Sequence, residues 1–417
     1  MLKDSFNEVL DPQTLKALEF ENLLNVIARY AVSQPAKEEV LYIRPLTQKD
    51  SILYRQSLIN DLRSIIQQGN TLPIEPFEDL KPIFKALKPA DAVLMPEELL
   101  KMVPFLSSVV ETKAMGKLLS DGPLKEYIQV FNDHEGLLTE IKRCINPDGS
   151  ISDDASLYLK EIRKQIRSLR NRIKKLLERI LQDPEKLHHI QDTYITERNG
   201  RYVIPVKADH KGHIKGIIHD VSNTEATVFV EPQETVSLGN ELENLIAEEK
   251  IEIWRILRQL SELLRERLGP LSSDYDRIVY LDSLWAVARF SELAGMCIPE
   301  ITDKPEIVIR QGRHPLLWNH LRENNLLDKL VPLDFELGIK FRCLIITGSN
   351  AGGKTVSLKT VGLLTVMALS GLPVPAKEGS RFYLFKKVMA DIGDEQSIEA
   401  SLSTFSGHLF RMKEMLE

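Results

Sequence analysis

Cysteine is rare in this chain of 417 residues. The three cysteines, Cys144, Cys297 and Cys343, lie far apart and form no CxxC pair. This spacing excludes a disulfide framework, indicates no zinc site, and suits a reducing compartment. The sequence also lacks a run of 18 apolar residues, and its start lacks the basic-then-apolar layout of a signal peptide. We therefore expect a soluble, cytoplasmic protein with no membrane partner.

Positive charge is not in excess either. The formal net charge is −6, with 43% hydrophobic and 27% charged residues. These values are typical of a globular protein of two or three domains and not of a disordered chain. An acidic chain does not coat nucleic acid over its whole surface, although a local basic surface stays compatible with this composition.

Two long helices are predicted from apolar residues that recur at steps of three and four. The first seam consists of Leu159, Ile162, Ile166, Leu169, Ile173, Leu176 and Ile180. The second consists of Leu242, Ile246, Glu249, Ile253, Ile256, Leu260 and Leu263, with one polar break. Each helix is expected to span roughly 25 to 30 residues, about 40 Å. The matched lengths predict an antiparallel coiled-coil arm, and the β-rich runs between the seams predict a small β-rich tip.

Basic residues are concentrated on this predicted arm. The first helix carries nine Lys or Arg residues against two Glu residues, and such a stripe could neutralise phosphates without reading bases. The alternative is a solvated coiled-coil face, on which Lys174, Lys175 and Arg179 meet the acids between Glu241 and Glu252. The nucleic-acid candidates on arm and tip are Arg163, Arg167, Arg170, Arg198, Arg201, Lys207, Lys211 and Lys215.

A metal site among the tip histidines is not expected. His210, His213 and His219 are accompanied by no cysteine. The neighbouring lysines would also repel a cation.

The stretch GSNAGGKT, residues 348 to 355, matches the phosphate-binding pattern G-x-x-x-x-G-K-[ST]. A buried strand at 343–346 is predicted to enter the loop and a helix at 356–369 to leave it, so that backbone N–H groups face the phosphates. Lys354 is then expected to contact the β- and γ-phosphates, and Thr355 to hold Mg²⁺. The expected cofactors are ATP and Mg²⁺. The nucleotide-binding residues are Gly348, Ser349, Asn350, Ala351, Gly352, Gly353, Lys354, Thr355 and Val356.

Hydrolysis at such a loop also needs an aspartate at the end of a second apolar strand. The downstream candidate is Asp391, which follows Lys387-Val388-Met389-Ala390. This short, lysine-flanked run makes a poor buried strand. A surface loop is therefore expected at Asp391.

Four motifs resemble the MutS ATPase family, which shares the ABC-type nucleotide-binding fold. In the family's order they are GRHPLL at 312–317, TGSNAGGKT at 347–355, VPAKEG at 374–379 and SLSTFSGHL at 401–409. Two upstream stretches, at 148–173 and 201–232, are similar to the MutS-two branch, which is linked to recombination control. The likeness covers essentially the whole chain. Ser349 and Ala351 depart from the family's commoner loop, but neither position supplies phosphate chemistry.

The resemblance implies roles for residues that spacing alone does not assign. Asn350 is implied as a sensor of the γ-phosphate. Ser403, Thr404 and Phe405 are implied as a signature segment that reaches the nucleotide of the other subunit of a homodimer; the alternative is an N-cap before a helix at 405–416. In the family, the acidic Walker B strand and the Smr nuclease domain follow this segment. We therefore expect an N-terminal fragment, truncated within its ATPase domain, that binds ATP without turning it over.

The expected fold is mainly α with an α/β C-terminal domain. It comprises a helical core at 1–150, a lever and clamp coiled coil at 151–300 with a β-rich insert at about 193–232, and a partial ABC-type P-loop ATPase domain at 301–417. The expected function is that of an ATP-dependent DNA-binding protein, a dimeric clamp on branched or recombining DNA that restrains recombination. The alternative is an ATPase acting on ribosomes or structured RNA, including rescue of stalled ribosomes, since a basic arm fits either polyanion.

Overall fold

The computed structural model of the chain describes residues 9–348, 352–392, 412, 413 and 415. These residues form two compact units, each assembled from segments that are distant in sequence. The core unit lies within 1–81, 104–135 and 269–417, and the arm unit comprises 82–103 and 136–268. The division into consecutive domains at residues 150 and 300 stays a prediction.

Helices dominate the described residues, and the strands form two four-stranded sheets. This composition confirms a mainly α fold with an α/β part. No described helix is both long and apolar enough to cross a membrane. The α-helices are α1 (Pro12–Ala17), α2 (Phe20–Ala28), α3 (Gln34–Leu41), α4 (Lys49–Gln67), α5 (Lys81–Ala86), α6 (Pro96–Gly116), α7 (Pro123–Gln129), α8 (Glu135–Cys144), α9 (Leu157–Gln182), α10 (Pro184–Leu187), α11 (Gln233–Glu266), α12 (Leu268–Leu293), α13 (Pro315–Glu323) and α14 (Lys354–Leu369). The strands are β1 (Thr196–Arg198), β2 (Arg201–Lys207), β3 (Gly216–Val221), β4 (Thr227–Pro232), β5 (Glu300–Thr302), β6 (Ile307–Gly312), β7 (Leu333–Leu337) and β8 (Arg381–Tyr383).

Helix α12 forms the centre of the core unit. Every residue from 281 to 288 is buried, as expected for a helix with neighbours on all sides. Its buried Asp282 accepts hydrogen bonds from the backbone N–H groups of Val32 (3.1 Å) and Ser33 (2.7 Å). These bonds fix the start of α3 on α12.

A second buried carboxylate, Asp274, holds the segment before α8. It accepts hydrogen bonds from the backbone of Asn132 (2.8 Å) and from Arg277 (2.9 Å), and it lies 3.0 Å from Nε2 of His134. Burial raises the pKa of Asp274, but the bonds from His134, Asn132 and Arg277 outweigh burial and hold that pKa below its ordinary value. The ionised carboxylate therefore stabilises this part of the core.

The sheet of the core unit has the order β5-β8-β6-β7. β5 pairs in parallel with β8, whereas β6 pairs antiparallel with both β8 and β7. In α14, residues 363–369 are all buried, whereas Thr355 and Val356 in its first turn are exposed. The helix is thus anchored at its C-terminal end and open at its N-terminal end.

In the arm unit, α9 and α11 pack antiparallel. Ser156 donates a hydrogen bond to Glu252 (2.6 Å), and Lys186 approaches Glu234 (3.4 Å) where α11 begins. Between the two helices in sequence lies an antiparallel sheet of order β1-β2-β4-β3. Helices and sheet share one apolar cluster, which includes Ile166, Ile173, Ile204, Val230 and Leu238. A regular coiled-coil geometry along the pair stays a prediction.

Parts of the two predicted seams are wrong. Leu263 is 39% exposed and Leu264 is wholly buried instead, because the end of α11 has a new neighbour, the segment before α6, to which Ser261 is hydrogen-bonded. In α9, Leu177 is wholly buried while Leu176 is only partly buried. The strand β2 also packs on α9, so the apolar face there is wider than a two-helix seam.

Candidate functional site

The predicted strand before the glycine-rich loop is wrong. Residues 343–347 form no strand, and Leu344, Ile345 and Ile346 are 43%, 82% and 38% exposed. An apolar run becomes a strand only where another strand completes its backbone hydrogen bonds. Within the described ranges no strand pairs with this run. The apolar composition of the run cannot predict whether a partner strand is present.

The loop itself begins and ends with glycines in unusual backbone conformations. Gly348 has φ 144° and Gly353 has φ 78°, and an added Cβ would meet no atom within 4 Å at either position. The glycines are therefore needed for backbone conformation and not for space. Ser349, Asn350 and Ala351, which the sequence also assigns to the loop, lie outside the described residues. The signature segment Ser403, Thr404 and Phe405 lies outside them too.

Lys354 is the first residue of α14 and reaches back across the loop. Its Nζ donates a hydrogen bond to the carbonyl oxygen of Gly348. No acidic residue lies in the first turn of α14, so the partial positive charge of the helix N-terminus is not offset there. Gly352, Thr355 and Val356 are exposed beside the lysine. Backbone N–H groups, an ammonium group and a hydroxyl at one open helix end fit a phosphate and its cation.

The position of α14 depends on close packing against the link between α1 and α2. A Cβ added to Gly362 would lie 2.6 Å from Cδ2 of the buried Leu18. One helical turn earlier, Lys359 forms an ion pair with Glu19 at 3.2 Å. Gly362 therefore brings the helix closer to Leu18 than any other residue would allow.

Asp391 lies in an irregular, partly exposed segment, as predicted for a surface loop. The N–H of Val388 donates to the carbonyl oxygen of Val9 (2.8 Å), and the N–H of Ala390 donates to Oγ1 of Thr14 (3.0 Å). This segment is held against the N-terminal residues of the core unit. No group of three or more potential metal-ligating side chains occurs among the described residues.

Two of the eight candidate cations for nucleic acid are held by carboxylates. Arg163 lies 2.7 Å from both Asp153 and Glu249, with its side chain 20% exposed. Arg201 binds Glu231 (3.3 Å) and Glu243 (2.5 Å), with its side chain 13% exposed. Both arginines stabilise the arm, and their charge is largely compensated.

Two further cations on the tip have partners of their own. Arg198 forms an ion pair with Asp220 (3.0 Å) and lies 4.5 Å above the ring of Phe229. Lys207 donates to the carbonyl oxygen of His188 (3.1 Å). The sequence pattern does not predict the contact between Arg198 and Phe229. The contact forms only because β1 pairs with β2 and β2 pairs with β4, the strand that contains Phe229.

The remaining four cations, Arg167, Arg170, Lys211 and Lys215, are exposed. Arg167 has one weak partner, Asp153 at 3.4 Å. The expected pairing of α11 acids with Lys174, Lys175 and Arg179 is wrong. Because α11 already begins at Gln233, Glu249 and Glu252 lie further along the antiparallel pair, against Arg163 and Ser156. Glu243 is held by Arg201. The half of α9 nearest the sheet therefore keeps exposed positive charge.

Three histidines cluster at the edge of this basic surface. Nδ1 of His189 lies 2.8 Å from Nδ1 of His210, and the ring of His189 stacks on His213 at 4.3 Å. Burial and the neighbouring histidines lower the pKa of His189. His219 lies apart from this group and contacts Glu231 at 2.8 Å.

The sequence was compared with known proteins. The family described as MutS domain V matches residues 344–417. Proteins named endonuclease MutS2 from Pelotomaculum thermopropionicum, Agathobacter rectalis and Caldanaerobacter subterraneus are 37%, 37% and 38% identical to the chain. The alignments cover 98%, 98% and 97% of this chain but 51%, 51% and 50% of the relatives. The chain thus spans about half the length of the curated relatives it matches.

The part of the chain that begins just before the glycine-rich loop is similar to MutS domain V. The chain is also similar over nearly all of its length to the proteins named endonuclease MutS2. The resemblance to the MutS-two branch is thereby confirmed.

Proposed function

We propose that this chain carries the nucleotide-binding loop and the nucleic-acid-binding arm of a P-loop ATPase of the MutS type. The protein would act as a homodimeric clamp on branched or recombining DNA and restrain recombination. The observation that carries the proposal is the hydrogen bond from Lys354 to Gly348, because it places an ammonium group across an open, glycine-flanked helix N-terminus. The match of residues 344–417 to MutS domain V supports the same assignment.

In this proposal the residues from 348 to 356 bind ATP. Bound ATP with Mg²⁺ supplies the phosphate charge and the free energy of hydrolysis. The Nζ of Lys354 would hold the phosphates, and the hydroxyl of Thr355 would hold the cation. Asn350 senses the γ-phosphate, and Ser403, Thr404 and Phe405 complete the site of the other subunit.

The arm would bind the nucleic-acid backbone by charge. Arg167, Arg170, Lys211 and Lys215 are the cations assigned to this role, because Arg163 and Arg201 are held by carboxylates. Contacts of this kind position a protein on a duplex without reading its sequence, so recognition would depend on the shape of the nucleic acid. The relatives' name, endonuclease MutS2, favours DNA as the target.

Competition binding tests the proposal. A labelled four-way DNA junction bound to the protein would be displaced by unlabelled junction, linear duplex DNA or ribosomes across a series of salt concentrations. We expect the junction to compete best, and the affinity to fall steeply with salt. Equal and weak competition by all three would contradict the clamp. Strongest competition by ribosomes would replace DNA by the ribosome as the target.

A further inference from the structure

Three histidines of the arm unit are in mutual contact beside its small sheet. Nδ1 of His189 lies 2.8 Å from Nδ1 of His210, and the rings of His189 and His213 are stacked with their centres 4.3 Å apart. The centres of the third pair of rings, those of His210 and His213, are 5.4 Å apart. We call these three residues the histidine cluster. None of the three side chains is buried, so a ligand in solution can reach the cluster.

The backbone holds the histidine cluster at the end of β2. The N–H of Lys207 donates to the carbonyl oxygen of His189 (3.0 Å), and the N–H of His213 donates to the carbonyl oxygen of His210 (3.0 Å). These hydrogen bonds do not involve the imidazole rings. A change in the charge of a ring therefore removes neither of them, and the three rings stay close together.

The contact between His189 and His210 suits the pair to hold one positive charge. A neutral imidazole has one N–H donor and one acceptor nitrogen, whereas a protonated imidazole has two donors. One Nδ1 of the pair must therefore donate and the other must accept. A proton added at Nε2 of the donor ring keeps this hydrogen bond and makes it a charge-assisted one. A proton added to the acceptor nitrogen would break it.

The groups that act most strongly on His189 are basic. Burial lowers the pKa of His189, and repulsion from His213, His210, His188 and Lys207 lowers that pKa further. Because the ordinary pKa of histidine is about 6.5, His189 is mostly neutral at pH 7 in the free protein. An anion placed among these groups would act in the opposite direction and raise the pKa of His189.

The acidic residues near the histidine cluster are a weak source of such an anion. On α10, Lys186 is already paired with Asp183 (3.9 Å) and Glu234 (3.4 Å). Three acids on the neighbouring segments are exposed, and none of them is among the main influences on the pKa of His189: Asp192, Asp209 and Glu225. A phosphate group of a ligand would supply the negative charge instead.

We propose that the histidine cluster is a phosphate-binding site of the arm that takes up a proton together with its ligand. The inference rests on the proposed function, in which Lys211 and Lys215 bind the nucleic-acid backbone. These lysines lie two residues before and two residues after His213. A phosphate group bound by both lysines is therefore close to the cluster, and it stabilises the protonated form.

The proposal fixes the sign of the pH dependence. The pKa of the cluster is higher in the complex than in the free protein, so the extra affinity is fully present below the free pKa. The extra affinity is lost as the pH rises through the pKa of the complex. Nucleic acid is therefore expected to bind more tightly as the pH falls through the range in which histidine titrates.

Junction binding at about pH 8 and about pH 5.5, on either side of the ordinary histidine pKa, tests the proposal at constant salt. The variant carries His189→Gln, His210→Gln and His213→Gln, and the matched control is His320→Gln, an exposed histidine of the core unit. Fluorescence anisotropy is expected to give similar affinities for all proteins at the higher pH. At the lower pH the parent and the control should gain about tenfold more affinity than the variant, since one pKa unit corresponds to about tenfold. Equal gains by the parent and the variant would overturn the proposal.

An NMR titration separates this inference from the proposed function, because it needs no DNA. The imidazole Cε1–H signals of the full chain would be followed against pH with and without inorganic polyphosphate, and the single variants His189→Gln and His210→Gln assign the signals. We expect polyphosphate to raise the pKa of at least one histidine of the cluster by about one unit and to leave His320 unchanged. Unchanged pKa values throughout the cluster would overturn the inference. A raised pKa without any junction binding would support the phosphate site and contradict the DNA clamp.

Discussion

At the scale of single residues, the structure separates charges that are already compensated from charges that are open to a ligand. Arg163 and Arg201 have carboxylate partners within the arm unit. Arg167, Arg170, Lys211 and Lys215 are exposed instead. This difference decides which cations of the arm are expected to bind phosphate.

The Lys354→Ala variant is expected to bind a fluorescent ATP analogue at least about tenfold more weakly than the parent chain. A hydrogen bond to a charged group contributes about 1.5–3 kcal/mol, and 1.4 kcal/mol corresponds to a factor of ten. Lys340→Ala is the control, since Lys340 is an exposed lysine outside the loop. Equal affinities of the two variants would remove Lys354 from the site.

Asp274 makes the free energy of unfolding depend on pH. Its pKa in the folded state is below the ordinary value, so its contribution is present above the unfolded pKa of about 3.9 and is lost as the pH falls through the folded pKa. We expect Asp274→Asn to lower the free energy of unfolding at pH 7, with a difference from the parent that shrinks between about pH 5 and pH 2. Urea unfolding over this range measures it. A difference that does not change with pH would show that the carboxylate charge is not what stabilises the fold.

At the scale of elements, the position of α14 governs the loop that precedes it. The buried half of the helix packs in the core unit, and Gly362 lies against Leu18. The exposed N-terminal end is then held where the loop needs it. Packing at the C-terminal end of α14 therefore fixes the position of the loop at its N-terminal end.

Gly362→Ala is expected to be destabilising, although alanine is the better helix former. Its Cβ would fall within 2.6 Å of a buried leucine atom, and such overpacking costs about 1–3 kcal/mol. The matched control is Gly136→Ala in α8, where an added Cβ meets no atom within 4 Å. In thermal unfolding, the Gly362→Ala variant is expected to have a lower melting temperature than the Gly136→Ala variant. The reverse order of melting temperatures would mean that α14 can move away from Leu18 without a loss of stability.

Much of the arm was predictable from the sequence, because the apolar period of a helix is local information. The seam from Leu159 to Ile173 is buried as predicted. The strand predicted at 343–346 is wrong because a strand needs a partner strand, and the local sequence does not contain that information. The pairing of Arg201 with Glu231 was missed for the same reason, since the two residues meet only when β2 and β4 lie side by side.

At the scale of the whole molecule, positive charge is a local feature of a chain with a net charge of −6. Positive charge survives on the part of α9 nearest the sheet because Glu248, Glu249 and Glu252 of α11 contact the first residues of α9. Glu243 of α11 is held by Arg201 instead. Polyanion binding should therefore depend on a few exposed cations of the arm and on salt. Cations elsewhere on the surface should contribute little.

The salt dependence of junction binding tests this account most directly. Fluorescence anisotropy with a labelled four-way DNA junction would compare the parent chain with Arg170→Ala/Lys211→Ala and with the control Lys117→Ala/Lys340→Ala, exposed lysines of the core unit. Each phosphate contact contributes about 0.9 to the slope of log K against log salt concentration. The arm variant is predicted to bind more weakly, with a slope shallower by about two, and the control to match the parent. Identical slopes for all three proteins would contradict the assignment of the arm as the nucleic-acid-binding surface.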